Sequence, residues 1–269
     1  MEVFLLDNKS VRSHLLALAE QGVKSFAERI NPGVPHVLGI RIPALRRLAI
    51  QIAKSDWETY LHTADSYYME ERMLQGMVLG AIRPDADVEV YLNRVTRFIK
   101  LINSWSVCDT FKFGGGKNFL ATHKLRLWEY LCGWMQAEGE YEVRFGVVMG
   151  MQIFIDEVYV KAYLQKLDAI THEGYYVRMA VAWALSVCFV KFQELTLAYL
   201  QNNSLDSRPL KSPFLRDIVQ AQYLAYFLKH AQKSFHSSFE VICCCREKYV
   251  HSISYHTLIK VAAQTIIRL

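Results

Sequence analysis

Apolar residues recur at helical spacing along almost the whole of this 269-residue chain. Residues 11–30, for example, place apolar side chains three or four positions apart, which predicts one amphipathic helix that ends at Asn31-Pro32-Gly33. No stretch shows the convincing alternation of a strand. A second helix is predicted to carry Pro43 in its first turn. Further helices are predicted over residues 68–83, 88–102, 121–136, 140–155, 157–169, 175–190 and 192–201.

These helices alternate with short turns, so that helix–turn–helix units recur roughly every 35–45 residues. Such a recurrence predicts an all-α fold, namely a curved solenoid of HEAT-like helical repeats (an α–α superhelix). We expect one domain over residues 1–269. After Asp206 prolines interrupt the helical pattern, but no flexible linker precedes this stretch. We therefore interpret residues 206–252 as a helical insertion within that domain.

The composition restricts the class of protein further. The chain has 31 basic and 26 acidic residues and a net charge of +5, a mild surplus that permits a polyanionic partner without requiring one. The longest apolar run, Met179 to Val190, is too short to cross a bilayer, and no targeting segment is visible, so we expect a cytoplasmic protein. The run Cys243-Cys244-Cys245 is not expected to bind metal, because adjacent helical residues point about 100° apart.

The stretch from Asn103 to Asp109 combines a helix start with two chemically distinctive side chains. Asn103 and Ser104 are suited to accept hydrogen bonds from the first amides of a helix. Trp105 and Asp109 then lie four positions apart and project from the same face. An electron-rich ring beside a carboxylate forms a site for a cation. The alternative is an interfacial tryptophan beside a solvated carboxylate.

Two further residues stand out on their predicted helices. Arg144 lies among apolar residues, so it is either paired with a carboxylate or directed at a ligand. Trp183 is flanked by small residues and either fills the core or stands in a cleft. The sequence carries no phosphate-binding loop, no metal-ligand spacing and no nucleophile motif. We therefore expect no cofactor.

Several stretches in the same order resemble the DNA alkylation repair family, the AlkD-like DNA glycosylases. The resemblance covers most of residues 20–205. It includes the Trp-x-x-x-Asp stretch at residues 103–109, which is similar to the active-site motif of that family. The other stretches that carry it are residues 37–49, 71–77, 142–145 and 175–183.

The resemblance implies a glycosylase that removes positively charged N3- or N7-alkylated purines from double-stranded DNA, with no cofactor and as a monomer. It implies catalytic roles for Asp109, Trp105 and Trp183, and a phosphate contact for Arg144. The residues that we expect to contribute to binding of the DNA backbone, with a solvated surface as the alternative, are Arg41, Arg46, Lys112 and Arg178.

One feature of the family is not matched, since Val23 or Lys24 stands where many relatives carry an active-site tyrosine. This departure favours a second hypothesis, in which a family member binds DNA or protein without catalysis. A third hypothesis is that the protein is unrelated to this family and serves as a scaffold for protein partners, which is a common use of helical solenoids.

Overall fold

The computed structural model of the protein describes residues 4–202, and most of these residues are helical. The all-α prediction is confirmed. Within residues 4–202 the helices are α1 (Val11–Leu18), α2 (Gln21–Ile30), α3 (Ile42–Ala53), α4 (Trp57–Thr63), α5 (Met69–Ala81), α6 (Val88–Ile99), α7 (Trp105–Asp109), α8 (Gly116–Thr122), α9 (Lys124–Trp134), α10 (Glu140–Ile153), α11 (Val160–Asp168), α12 (Tyr175–Lys191) and α13 (Gln193–Asn202).

Backbone contacts divide the chain into two compact units, Met1–Met149 and Gly150–Leu269. The first contains α1 to α9 and most of α10, and the second contains α11 to α13. A single domain over residues 1–269 and the curvature of a solenoid stay predictions. The proposed insertion at residues 206–252, with Cys243 to Cys245, lies outside the described residues.

A small hairpin precedes the helices, which the sequence pattern did not predict. Strands β1 (Leu5–Leu6) and β2 (Lys9–Ser10) pair antiparallel, with Leu5 opposite Ser10. The connecting residues Asp7 and Asn8 both have positive φ, at 50° and 60°. Two left-handed residues between antiparallel strands are typical of a tight hairpin turn, and Asp and Asn tolerate that conformation.

The prediction of one helix over residues 11–30 is wrong, because α1 and α2 are separate helices with Ala19 and Glu20 between them. The Glu20 amide donates to the carbonyl of Gly39 at 2.9 Å instead of continuing the helix. Gly39 has a φ of +82°, and a side chain there would collide with the backbone of Lys24. A close approach of the loop before α3 therefore ends α1 and starts α2.

In the first unit, apolar residues that recur at helical spacing are buried. Pro43 occupies the first turn of α3, and the apolar face of that helix is buried. Helix α4 was not predicted, and the stretch predicted as one helix over 121–136 is divided between α8 and α9. The buried apolar residues of α3, α5 and α6, with Ile102 just after α6, include Leu45, Leu48, Ala49, Ile52, Met69, Met73, Leu74, Met77, Tyr91, Val95, Phe98 and Ile102.

Helix α12 contains the longest apolar run of the chain. It begins after Gly174 and buries small and apolar side chains along most of its length. No helix within residues 4–202 has both the length and the apolar character that a membrane crossing requires.

Candidate active site

Helix α7 begins where the sequence predicts. Ser104 is its N-cap, and the Ser104 side chain accepts a hydrogen bond from the amide of Val107 at 3.3 Å. Residues 106–108 are buried, whereas Trp105 and Asp109 at the two ends are partly exposed. Because these two residues are four apart on a helix, the indole and the carboxylate lie on the same face of α7.

Arg144 on α10 is paired with Asp109, which decides between the two alternatives that the sequence left open for this arginine. Nε donates to Oδ1 at 3.0 Å, and Nη2 donates to Oδ2 at 2.7 Å. The Arg144 side chain is 7% exposed and the Asp109 side chain is 15% exposed. Two parallel charge-assisted hydrogen bonds fix both the position and the plane of the carboxylate.

Aromatic packing beside the two residues explains why they meet. Phe111 follows Asp109 by two positions, and Phe145 follows Arg144 directly; both phenyl rings are fully buried. Their ring centroids are 5.3 Å apart, and Phe98 of α6 stacks on Phe111 at 5.3 Å. Buried aromatic contacts of this kind contribute through both area and ring geometry. The core of the first unit therefore brings the end of α7 to the start of α10.

Arg144 stays charged despite its burial. Burial opposes the charge of Arg144, but attraction to Asp109 and the hydrogen bonds between them outweigh it, so the pKa of Arg144 is raised above its ordinary value. Burial raises the pKa of the neighbouring Cys108 thiol well above its usual range, and the charge of Asp109 adds to the effect. Cys108 is therefore a neutral thiol at physiological pH and is unsuited to act as a nucleophile.

The other end of α7 is held by the end of α2, a contact that the sequence analysis missed. The indole Nε1 of Trp105 donates to the carbonyl of Ile30 at 2.9 Å. The hydroxyl of Ser106 donates to Oδ1 of Asn31 at 2.8 Å. The partners are 75 positions apart, and in the sequence Asn31 indicates only the end of a helix.

Three of the four residues predicted to bind the DNA backbone lie in the first unit. Arg41 is exposed and paired with Glu20, with three nitrogen–oxygen distances from 2.9 to 3.1 Å. The hydrogen bond from Arg41 lowers the pKa of Glu20. Arg46 is partly exposed on α3, and Lys112 is exposed after α7. Their contact with DNA stays a prediction.

The remaining predicted residues, Arg178 and Trp183, belong to α12 in the second unit. Trp183 is partly exposed, and its carbonyl accepts a hydrogen bond from the Ser186 hydroxyl at 2.7 Å. The Nε of Arg178 is buried and has no hydrogen-bond partner among the described residues. The catalytic role of Trp183 stays a prediction.

The fold and the site define a class of protein, namely a mostly helical protein with a partly exposed tryptophan beside a fixed carboxylate. The chain belongs to the DNA alkylation repair enzyme family, whose model matches residues 11–214. Membership gives the protein a role in DNA repair. No curated protein and no solved structure matches the chain.

Proposed function

We propose that the protein is a DNA glycosylase that hydrolyses the N-glycosidic bond of positively charged N3- or N7-alkylated purines in double-stranded DNA. The observation that carries this proposal is the Asp109 carboxylate, which Arg144 holds in one orientation on the same face of α7 as Trp105. Membership in a family of DNA alkylation repair enzymes supplies the class of substrate.

The chemistry that such a site supports begins with the leaving group. An alkylated purine of this kind already carries a positive charge, so the base departs as a neutral molecule and needs no strong general acid. The electron pair of the glycosidic bond goes to the base nitrogen, and positive charge develops on the deoxyribose. A fixed carboxylate stabilises that charge, and a water molecule adds at C1′ and releases a proton.

Asp109 retains the capacity for this role while it is bound to Arg144. Each carboxylate oxygen has two lone-pair positions, and each accepts one of the two described bonds from the guanidinium. The Asp109 side chain is also more exposed than that of Arg144. The geometry therefore supports a carboxylate that is oriented from the protein side and accessible to a sugar or a water molecule from the other.

The aromatic and basic residues complete the proposal. Trp105 and Trp183 would place ring faces against the cationic sugar, since such a face attracts positive charge. Arg144 would orient Asp109, to which it is bonded, and the phosphate contact that the resemblance implies for it stays a prediction. Backbone contacts would come from the basic residues predicted from the sequence, namely Arg41, Arg46, Lys112 and Arg178.

A second candidate function is DNA binding without catalysis. It is favoured by the unmatched tyrosine of the family, since Val23 or Lys24, both on α2, stands at that position. The ion pair between Asp109 and Arg144 would then serve to hold α7 against α10.

The experiment that separates the two candidates uses the full chain and methylated duplex DNA. We expect release of 7-methylguanine or 3-methyladenine, measured by chromatography of the soluble fraction, and no release of unmodified guanine or adenine. Binding of the same duplex is measured in parallel. Binding that persists without any release of base would contradict the glycosylase proposal and favour the second candidate.

A further inference from the structure

Helix α7 carries two of the proposed catalytic side chains, yet it has only five residues. A helix of one turn is not stable by itself, because nucleation costs more than so few hydrogen bonds return. The orientation of Trp105 and Asp109 therefore depends on contacts from other elements. Arg144 supplies such a contact at the C-terminal end of α7.

At the N-terminal end, two adjacent residues of α7 bind two adjacent residues at the end of α2. Trp105 donates to the Ile30 carbonyl, and Ser106 donates to Oδ1 of Asn31. Ile30 is the last residue of α2, so its carbonyl lacks a partner within the helix. The indole N–H satisfies that carbonyl. The hydrogen bond also fixes the direction in which the N–H edge of the Trp105 ring points.

Asn31 itself is held rigidly. It is 2% exposed, and its Nδ2 donates to the carbonyl of Ala27 at 3.0 Å while its Oδ1 accepts from Ser106. With one bond on each side of the amide, the group is not free to rotate. A buried polar group with both ends satisfied specifies one arrangement of the chain around it.

We propose that Asn31 is a positioning residue for catalysis, which acts through Ser106 to hold α7 and so keeps the Trp105 ring at a fixed angle to the reacting sugar. This inference rests on the proposed glycosylase function. Catalysis by fixed charges and ring faces depends on geometry, and a shift of about 1 Å at such a site costs up to roughly a hundredfold in rate.

The test measures single-turnover release of 7-methylguanine from methylated duplex DNA by Ser106→Ala, Asn31→Ala and the double variant. The affinity of each protein for the duplex is measured alongside. Tyr130→Phe is the matched control, because it also removes a part-buried hydroxyl, which lies 2.8 Å from Thr96 in the same unit. The Trp105 indole N–H signal in a proton–nitrogen correlation NMR spectrum reports the surroundings of the ring directly. The signal is assigned by its loss in Trp105→Phe.

We expect each single variant to release base about tenfold more slowly, with duplex affinity within about twofold of wild type. Because the two residues act through one hydrogen bond, the double variant should be no slower than the slower single variant. The Trp105 indole signal should shift in both variants and remain in place in Tyr130→Phe, which should keep the wild-type release rate.

Release at the wild-type rate by both single variants, or losses that add in the double variant, would overturn the positioning role alone. An equal loss in Tyr130→Phe would also overturn it, since general destabilisation would then explain the effect. A wild-type protein that releases no base would overturn the proposed function, and the catalytic role of Asn31 with it.

Discussion

Two arginine–carboxylate pairs in the first unit have similar hydrogen-bond geometry and opposite surroundings. Arg144 and Asp109 are bonded at 2.7 and 3.0 Å, with side chains 7% and 15% exposed. Arg41 and Glu20 are bonded at 2.9 to 3.1 Å, with side chains 66% and 47% exposed. The surroundings of each pair, rather than its bond lengths, decide what the pair can do.

In the buried pair, the Arg144 guanidinium is largely shielded from bulk water and keeps both of its bonds to Asp109, so the carboxylate keeps one orientation. In the exposed pair, water competes for both groups and salt screens their attraction. Arg41 is thus available to exchange Glu20 for a phosphate, whereas Arg144 is committed to orienting Asp109.

The largest effect on stability is expected when the buried pair is broken. Arg144→Met would leave the Asp109 carboxylate charged without its partner, and the free energy of unfolding should fall by about 3–5 kcal/mol. Equilibrium urea denaturation measures this change. The matched variant Arg41→Met should keep the wild-type midpoint, and an equal shift in both variants would contradict the contrast.

The Cys108 thiol, which is buried beside Asp109, should make the free energy of unfolding fall as the pH becomes alkaline. The folded-state pKa of Cys108 is raised above the unfolded value of about 8.5. The unfolded chain therefore loses this proton first, and the stability that the neutral thiol contributes is present below that pH and lost as pH rises. Above about pH 9, wild type should lose up to about 1.4 kcal/mol per pH unit more than Cys108→Ala, as measured by urea denaturation.

A parallel decline in both proteins over that range would show that Cys108 does not contribute to the alkaline loss. Cys108→Ala is expected to begin from a lower stability at neutral pH, because it also removes buried sulfur contacts. The prediction therefore concerns the slopes of the two pH profiles.

The exposed pair should affect DNA binding without affecting stability. If Arg41 contacts a phosphate, Arg41→Met should weaken binding a few-fold and reduce the slope of log affinity against log salt by about one. Arg126→Met is the control, since Arg126 is also partly exposed and paired with a carboxylate, Glu89. Titrations of a labelled duplex at several salt concentrations measure both slopes, and equal slopes for Arg41→Met and wild type would remove Arg41 from the interface.

Features encoded by neighbouring residues could be predicted from the sequence. The start of α7 at Ser104 and the buried faces of α3, α5 and α6 follow from capping chemistry and helical spacing, and all agree with the structure. The shared face of Trp105 and Asp109 follows from the same spacing.

Features that depend on distant contacts could not be predicted in this way. The break between α1 and α2 depends on the loop at Gly39, and the sequence offered no partner for Arg144 in particular among the carboxylates of the chain. The bond between Ser106 and Asn31 joins residues 75 positions apart that are each ordinary in their local context. Such contacts come from packing, which a hydrophobic pattern specifies only in part.

The most direct test of the central claim compares the same chemical change in the two pairs, Asp109→Asn and Glu20→Gln. Each variant replaces an arginine-bound carboxylate with a neutral amide of the same shape. In single-turnover assays on methylated duplex DNA, we predict that Asp109→Asn releases 7-methylguanine at least about a hundredfold more slowly than wild type. Glu20→Gln should remain within about twofold. Release by Asp109→Asn at the wild-type rate would contradict the account.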